Sequence, residues 1–418
     1  MAQTTTFDVT EVRSHFDFPT TDRVVTNNAA TTQPPRELIQ LFARLAPTYE
    51  SVHRGQSTAS QITTKLFEQS YDIIADWLHA PSRRNIMTYR NATEAINAVM
   101  YTLLSEFRDG DNVVTTMMEH NSNFVPWYAL SREILPRFGL RVECRVARFD
   151  HRTGAIDIDH LASLVDSRTK LVCCTGASNF LGTKPPLAAI RDIAYASGYR
   201  HADGRQGSLL LIDGAQLVPS NPVDVQQLDA DYFCFSFHKV LAPFGVGVLY
   251  AKEHLLQSSL PFLYGGDMIA EGQVYVDHVG YNDLPWKYAA GTPNTLGVIV
   301  SAQALRLLVD LVGLSRPRCY FWTDEPLPHQ IVQQTMQMVG EHTSALAAYA
   351  LDRLRRIKGL VAYGPPPDTP RSPLVAFNIA GRDPVAIAHA LNRAHVESRA
   401  GCHCATLAHH DLGLDPPA

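Results

Sequence analysis

Leu209-Leu210-Leu211-Ile212-Asp213-Gly214-Ala215-Gln216 and, further on, Tyr232-Phe233-Cys234-Phe235-Ser236-Phe237-His238-Lys239 decide the reading of this chain. Each is an apolar run of strand length that ends in polar residues. Two buried strands finishing at one rim read this way. The first rim offers a carboxylate and an amide. The second offers a hydroxyl, an imidazole and an amine. Singly, a lysine after a strand is a solvated cap and an Asp-Gly pair is a turn. Together and in this order they form the set that a pyridoxal phosphate (PLP) enzyme needs. It uses a lysine for covalent attachment, an acid for the pyridine nitrogen, and small polar groups for the phosphate.

Outward from this pair the chain alternates. Strands are expected at 86–89, 112–115, 142–149, 171–175 and 245–250. Helices are expected at 92–107, 125–135, 156–164 and 186–196. Such alternation predicts an α/β fold, a mostly parallel sheet covered on both faces with right-handed crossovers. Ligands of such sheets sit at the carboxyl ends of the strands. Thr93, His120, Asn179, Asp213, Gln216 and Lys239 all fall at those ends.

Upstream, residues 1–22 read as an arm with a short helix at 10–16. Val24-Val25 is a short strand running into a turn. Pro34-Pro35 opens a helix to Tyr49, as proline does at a helix start. A long helix at 60–78 carries Leu66, Tyr71, Ile74 and Trp77 at helical spacing. Downstream, Gly265 to Met268 is a loop, 295–312 a helix, 315–328 a Pro-rich excursion and 330–357 a helix. Residues 360–418 read as short strands around a helix at 384–394. The expected organisation is an arm (1–22), a large cofactor domain (23–297) and a small α+β C-terminal domain (298–418).

The composition bounds the function. In 418 residues, 45% are hydrophobic and 18% charged, with a net charge of −5. That is ordinary for a globular chain. With no long basic run, nucleic acid and anionic membranes are not expected partners. No uninterrupted apolar run of about 18 residues is evident, so no membrane-spanning helix is expected. Seven widely spread cysteines do not form a disulfide framework, and a reducing cytoplasm is the expected compartment.

Eight motifs carry a family resemblance. They are Asn27 to Gln33, Val52-His53-Arg54-Gly55, Ala92 to Asn97, Glu119-His120-Asn121-Ser122-Asn123, Asp213-Gly214-Ala215-Gln216, Ser236-Phe237-His238-Lys239, Ala290-Gly291-Thr292-Pro293-Asn294 and Arg399 to Ala405. With these the chain resembles the class V, fold-type I PLP enzymes, and most of all the group II cysteine desulfurases. The resemblance spans residues 27 to about 405. It implies a homodimer acting on an amino acid, with Lys239 holding PLP and moving protons at the substrate α-carbon. Asp213 would pair with the pyridinium nitrogen and Gln216 with the ring oxygen. Ala92, Thr93, Ser236 and His238 would hold the phosphate, and Thr292 would reach the partner's phosphate. His120 would stack on the ring as an acid–base group. Asn28, Ala30, Asn179 and Arg399 would face the substrate.

Cys404 matches the family's sulfur-accepting cysteine, whose thiolate would leave alanine and a persulfide, to be passed to an acceptor protein. Cys402, two residues earlier, departs from the commonest desulfurase pattern. A Cys-x-Cys metal pair is not expected, because no second pair lies nearby. Ala289 stands where the family usually has an acid, and Asp267 where glycine is usual. The chain stops at Ala418, 14 residues after Cys404, before the family's segment with a carboxylate-binding Arg. Either the sequence is truncated or carboxylate binding has moved, with Arg399 the candidate. Two other functions stay open on the sequence. One is a different class V reaction (C–S lyase, epimerase or aminotransferase). The other is a partner-dependent or inactive homologue.

Overall fold

A computed structural model describes residues 8–17, 23–313, 319–367 and 369–414. Its helices are α1 (Val9–Ser14), α2 (Arg36–Leu45), α3 (Thr58–Leu78), α4 (Ala92–Leu103), α5 (Val125–Ala129), α6 (Ile158–Leu164), α7 (Leu187–Tyr195), α8 (Val225–Leu228), α9 (Glu253–Ser258), α10 (Thr295–Val312), α11 (His329–Leu354), α12 (Pro384–Arg393) and α13 (Thr406–Asp411). Its strands are β1 (Val24–Val25), β2 (Ile86–Tyr89), β3 (Asn112–Thr116), β4 (Glu143–Ala147), β5 (Thr169–Thr175), β6 (Leu209–Asp213), β7 (Tyr232–Ser236), β8 (Gly247–Ala251), β9 (Ile269–Val274), β10 (Val279–Tyr281), β11 (Leu360–Tyr363), β12 (Ala376–Ile379) and β13 (Val396–Glu397).

The main sheet has seven strands in the order β2-β8-β7-β6-β5-β3-β4. Only β8 runs against its neighbours, pairing antiparallel with β2 and β7. This is the mostly parallel α/β sheet expected from the sequence. Every residue of β3, β5, β6, β7 and β8 is buried, as a sheet sandwiched between helices demands. One core, with Phe233, Phe235 and Trp77, fills one face; a second, with Trp127, Ile96 and Leu211, fills the other.

Several expectations need correction. Residues 295–312 do form a helix long and apolar enough to cross a membrane, but 83% of it is buried inside the protein. It packs on α2 and α3, so the apolar surface belongs to the core. The expected 125–135 helix is one α turn, then a π turn at Leu130–Ile134, then a 3-10 turn over Leu135–Phe138. Ile156 is not helical; it bridges to Phe149 before α6 begins. The stretch after Met268 forms an antiparallel hairpin, β9–β10, which no pattern signalled. Of the excursion, residues 315–318 lie outside the described residues. The rest is pinned to α10, where Asp310 accepts from the backbone N–H groups of Tyr320 and Phe321 at 2.9 and 2.8 Å.

Near the C-terminus, β11 and β12 pair antiparallel beside α11 and α12. β13 pairs in parallel with β1, so the strand after the arm is held by the last strand of the chain. α10, which spans the expected boundary after residue 297, packs with the helices of the large sheet.

Candidate active site

The carboxyl ends of β2, β3, β5, β6 and β7 open into one cleft of about 960 Å³. Asn28, Ala30, Ala92, Thr93, His120, Asn179, Asp213, Gln216, Ser236, His238, Lys239 and Arg399 all line it. Cys404 is not among the lining residues; it sits beside Arg399, which is. Thr292 is exposed and outside this cleft, so a cofactor role for it requires a second subunit, as the resemblance implies.

The phosphate end is built at the start of α4. Asn91 caps the helix, its Oδ1 accepting from the Glu94 N–H at 3.0 Å. The Ala92 N–H donates to Ser236 Oγ at 2.8 Å, which ties the helix start to the end of β7. A Cβ on Gly247 would lie 2.3 Å from the Asn91 carbonyl carbon. Glycine there lets β8 press against this turn. Thr93 Oγ1 meets Ser122 Oγ at 2.6 Å. Ser122 was not singled out in the sequence; it meets Thr93 because the start of α4 packs against the turn that follows β3. A helix N-terminus with hydroxyls around it suits a phosphate.

Deeper in the cleft lie Asp213, His120 and Lys239. Asp213 is buried and its Oδ1 accepts from the Ala215 N–H at 3.0 Å. Lys239 keeps part of its surface open to the cleft and its amine has no hydrogen-bond partner among the described residues. Burial pushes its pKa below the ordinary lysine value, although Asp213 opposes this. His120 is likewise pushed down by burial, and its Nδ1 faces the Ser122 N–H at 3.0 Å. A neutral imidazole there accepts at Nδ1 and carries its proton on Nε2.

The motif at 27–33 docks on the lysine turn. The His238 carbonyl accepts from Thr32 N–H (2.8 Å), Thr31 Oγ1 (3.0 Å) and Thr32 Oγ1 (3.1 Å). Gln216 Nε2 donates to the Ala29 carbonyl at 2.7 Å, which leaves its second N–H for a ring oxygen.

The cysteine loop closes the cleft from the C-terminal side. Gly401, His403 and Cys404 all have positive φ, at 121°, 50° and 55°. Two successive non-glycine residues in the left-handed region are held by their surroundings. Asn179 Nδ2 donates to the His403 carbonyl at 2.6 Å, and the Asn121 N–H donates to the Cys404 carbonyl at 2.6 Å. Asn179 Oδ1 is buried without a partner, a free acceptor in the cleft wall. Arg399 Nη2 lies 3.9 Å from Cys404 Sγ, which puts a guanidinium beside the sulfur.

Two further residues escaped sequence reasoning. Glu119 is buried at the end of β3. Its Oε1 accepts from Thr116 Oγ1 at 2.6 Å and the Thr175 N–H at 2.9 Å, and its Oε2 from Asn123 Nδ2 at 2.6 Å. Burial pushes its carboxyl up to about 8. Asp267, the departure from glycine, sits 3.5 Å from His53 Nδ1 and 3.4 Å from Arg54 Nε. It thereby anchors the Val52 to Gly55 motif.

An unpaired buried amine, an acid beside it, an imidazole, an orphaned amide oxygen and a hydroxyl-lined helix start fit PLP at each of its polar groups. Fold and site together define an α/β enzyme of the lysine-bound PLP class. The aminotransferase class-V family model matches residues 24–317 and 329–416, and the chain belongs to that family. It is 35% identical to a cysteine desulfurase of Haloferax volcanii over 410 residues, which is 97% of this chain and 86% of that protein. It is 34% identical to a cysteine desulfurase of Klebsiella pneumoniae subsp. pneumoniae over 409 residues, 96% of this chain and 90% of that one. The solved cysteine desulfurase of Escherichia coli, in its S-sulfonic acid form, superposes with a TM-score of 0.80 at 28% identity, covering 98% of this chain and 92% of that one. The apo cysteine desulfurase of Thermococcus onnurineus gives 0.79 at 26% identity, covering 97% and 91%.

Proposed function

We propose that this chain is a PLP-dependent cysteine desulfurase that converts L-cysteine to L-alanine and holds the sulfur as a persulfide on Cys404. The observation that carries the proposal is Cys404 Sγ beside the Arg399 guanidinium, on a loop clamped over the cleft that ends at Lys239. Relatives of 34–35% identity over nearly the whole chain bear the same name.

Lys239 and Asp213 would hold the cofactor at its aldehyde and ring nitrogen, and the α4 start with Ser236 and His238 would hold its phosphate. PLP, when bound, supplies an electron sink for the charge left when a bond at the substrate α-carbon breaks. The chain's own residues do the rest. Lys239, its pKa lowered by burial, takes and returns the α-proton. Arg399 and Asn179 face the substrate, and the Arg399 guanidinium lies beside Cys404 Sγ. The Cys404 thiolate bonds to the substrate sulfur as the carbon–sulfur bond breaks. The electron pair left at the β-carbon takes the proton that the Cys404 thiol gave up, relayed by His120, and Lys239 returns its proton to the α-carbon, giving alanine.

The same reading includes a homodimer, since exposed Thr292 then reaches a neighbouring cleft, and a sulfur-acceptor protein at the cysteine loop. It also places the enzyme in a reducing cytoplasm, in keeping with seven free cysteines. Incubation of the PLP-loaded protein with L-cysteine tests the proposal. Equal amounts of alanine and protein-bound persulfide are expected in a single turnover. Pyruvate, racemised cysteine or no product would replace it with the lyase, epimerase or inactive reading.

A further inference from the structure

Outside the residues that line the cleft, three segments bring two imidazoles and a carboxylate together. His79 ends α3 in the left-handed conformation, with φ 54° and ψ 40°. Asp224 precedes α8, and its Oδ1 is occupied by the cap, accepting from the N–H groups of Gln226 and Gln227 at 3.0 and 2.9 Å. Its Oδ2 is left to face His79 Nδ1 at 2.8 Å and His329 Nε2 at 3.4 Å. His329 is the first residue of α11. The two imidazole rings stack 3.7 Å apart at 13°, so one ring must turn out of the stack for both in-plane lone pairs to point at one ion.

The geometry points to a divalent-cation site of the zinc type made by His79, Asp224 and His329. The three ligand atoms lie within 4.8 Å of one another. Ligands about 2.0–2.1 Å from one tetrahedral ion sit roughly 3.4 Å apart; the Asp224–His329 edge already has that length, at 3.4 Å, and the Asp224–His79 edge, at 2.8 Å, must open. Two imidazoles and one carboxylate are the donors that a borderline cation takes. All three side chains are partly exposed, at 42%, 18% and 26%, so an ion can enter and keep water as its fourth ligand. The Gln226 side chain donates to the His79 carbonyl at 2.6 Å and holds the strained residue in place. An ion here would tie the end of α3 and the start of α8 to the start of α11. Val339 and Leu346, further along α11, line the cleft, so the site would steady one wall of the active site.

The test is zinc titration of the PLP-loaded full chain, with thiols first alkylated by iodoacetamide so that Cys402 and Cys404 cannot compete. A competing chromophoric chelator reports affinity. One zinc ion per chain is expected, with X-ray absorption showing nitrogen and oxygen ligands only. His79→Gln and His329→Gln should each weaken binding at least about tenfold, because even second-shell changes cost that much. Asp224→Asn keeps the cap and should weaken binding too. Zinc should raise the melting temperature of the parent protein and leave that of His329→Gln unmoved. Binding equally tight in the parent and both histidine variants would overturn the assignment, as would no binding by the parent at about 100-fold molar excess of zinc.

Discussion

Replacing Glu119 with glutamine tests the buried acid below the cofactor residues. The side chain is 1% exposed and receives three hydrogen bonds. A glutamine can keep its oxygen toward Thr116 and the Thr175 N–H, but its amide nitrogen then faces the Asn123 Nδ2 donor. Turning the Asn123 amide removes the acceptor of Trp127 Nε1, which now sits 3.3 Å from Asn123 Oδ1. Either way one buried donor goes unpaired, at about 1–3 kcal/mol independent of pH. The parent protein has a pH-dependent term as well. With its carboxyl pushed from 4.5 to about 8 by burial, the folded chain holds a proton that the unfolded chain has already lost between those values. The native state binds more protons there, so the parent's stability falls as pH rises from about 4.5 to 8 and levels off above that. The full window is worth up to about 5 kcal/mol. A chain of 418 residues moves by roughly 1 °C per kcal/mol. Melting curves of both PLP-loaded proteins from pH 5 to 9 measure the difference and cancel every other titration. The parent should melt higher than Glu119→Gln at pH 5, and the gap should close or reverse by several degrees by pH 8. A constant gap would refute the reasoning. A gap that widens with pH would show that the three donors outweigh burial and hold the carboxylate ionised.

Three other outcomes follow from the site. Burial lowers the Lys239 pKa, so the rate at which PLP recombines with apoprotein should rise with pH to a midpoint below 10.5, the ordinary lysine value; a midpoint at or above it contradicts the burial argument. Cys404→Ala should abolish alanine release while keeping the PLP absorbance, and Cys402→Ala should cost less than about tenfold, or roughly 1.4 kcal/mol of barrier; equal losses would mean the two thiols act as a unit. Gly247→Ala forces a methyl to within 2.3 Å of the Asn91 backbone, and should raise the PLP dissociation constant at least about tenfold, about 1.4 kcal/mol; an unchanged value in a spectrophotometric titration would show that the α4 start does not hold the phosphate.

The alternation of strands and helices, and the convergence of strand ends on one rim, were legible because both are local patterns. Buried strands show as apolar runs, and Asp213 and Lys239 each follow one directly. What the sequence hid depends on distant neighbours. Ser122 reaches Thr93 only because β2 and β3 end near one rim, and Glu119 looks like an ordinary polar residue until β5 covers it. The β9–β10 hairpin was missed because its strands are mostly exposed and show little apolar patterning. The 295–312 helix was placed to the residue, but its polar interruptions disguised how apolar it is. Asp267 looked like a loss of the usual glycine; only the fold shows it holding His53 and Arg54.

The parallel pairing of β1 with β13 sets the order in which the cleft can be assembled. Thr26 reaches across 371 residues to the Glu397 carbonyl, and the cleft residues Asn27 to Ala30 follow directly on that strand. Contacts of such sequence separation form late, because the loop between their ends must first be closed. A ribosome-bound chain that has already buried β5, β6 and β7 still lacks the partner that fixes residues 24–26. The same turn of chain that brings up β13 also delivers Arg399 and Cys404. Synthesis therefore yields a cofactor-ready sheet before a sulfur-handling one, and the reactive thiol enters its cationic setting only when the strand that closes the molecule is laid down.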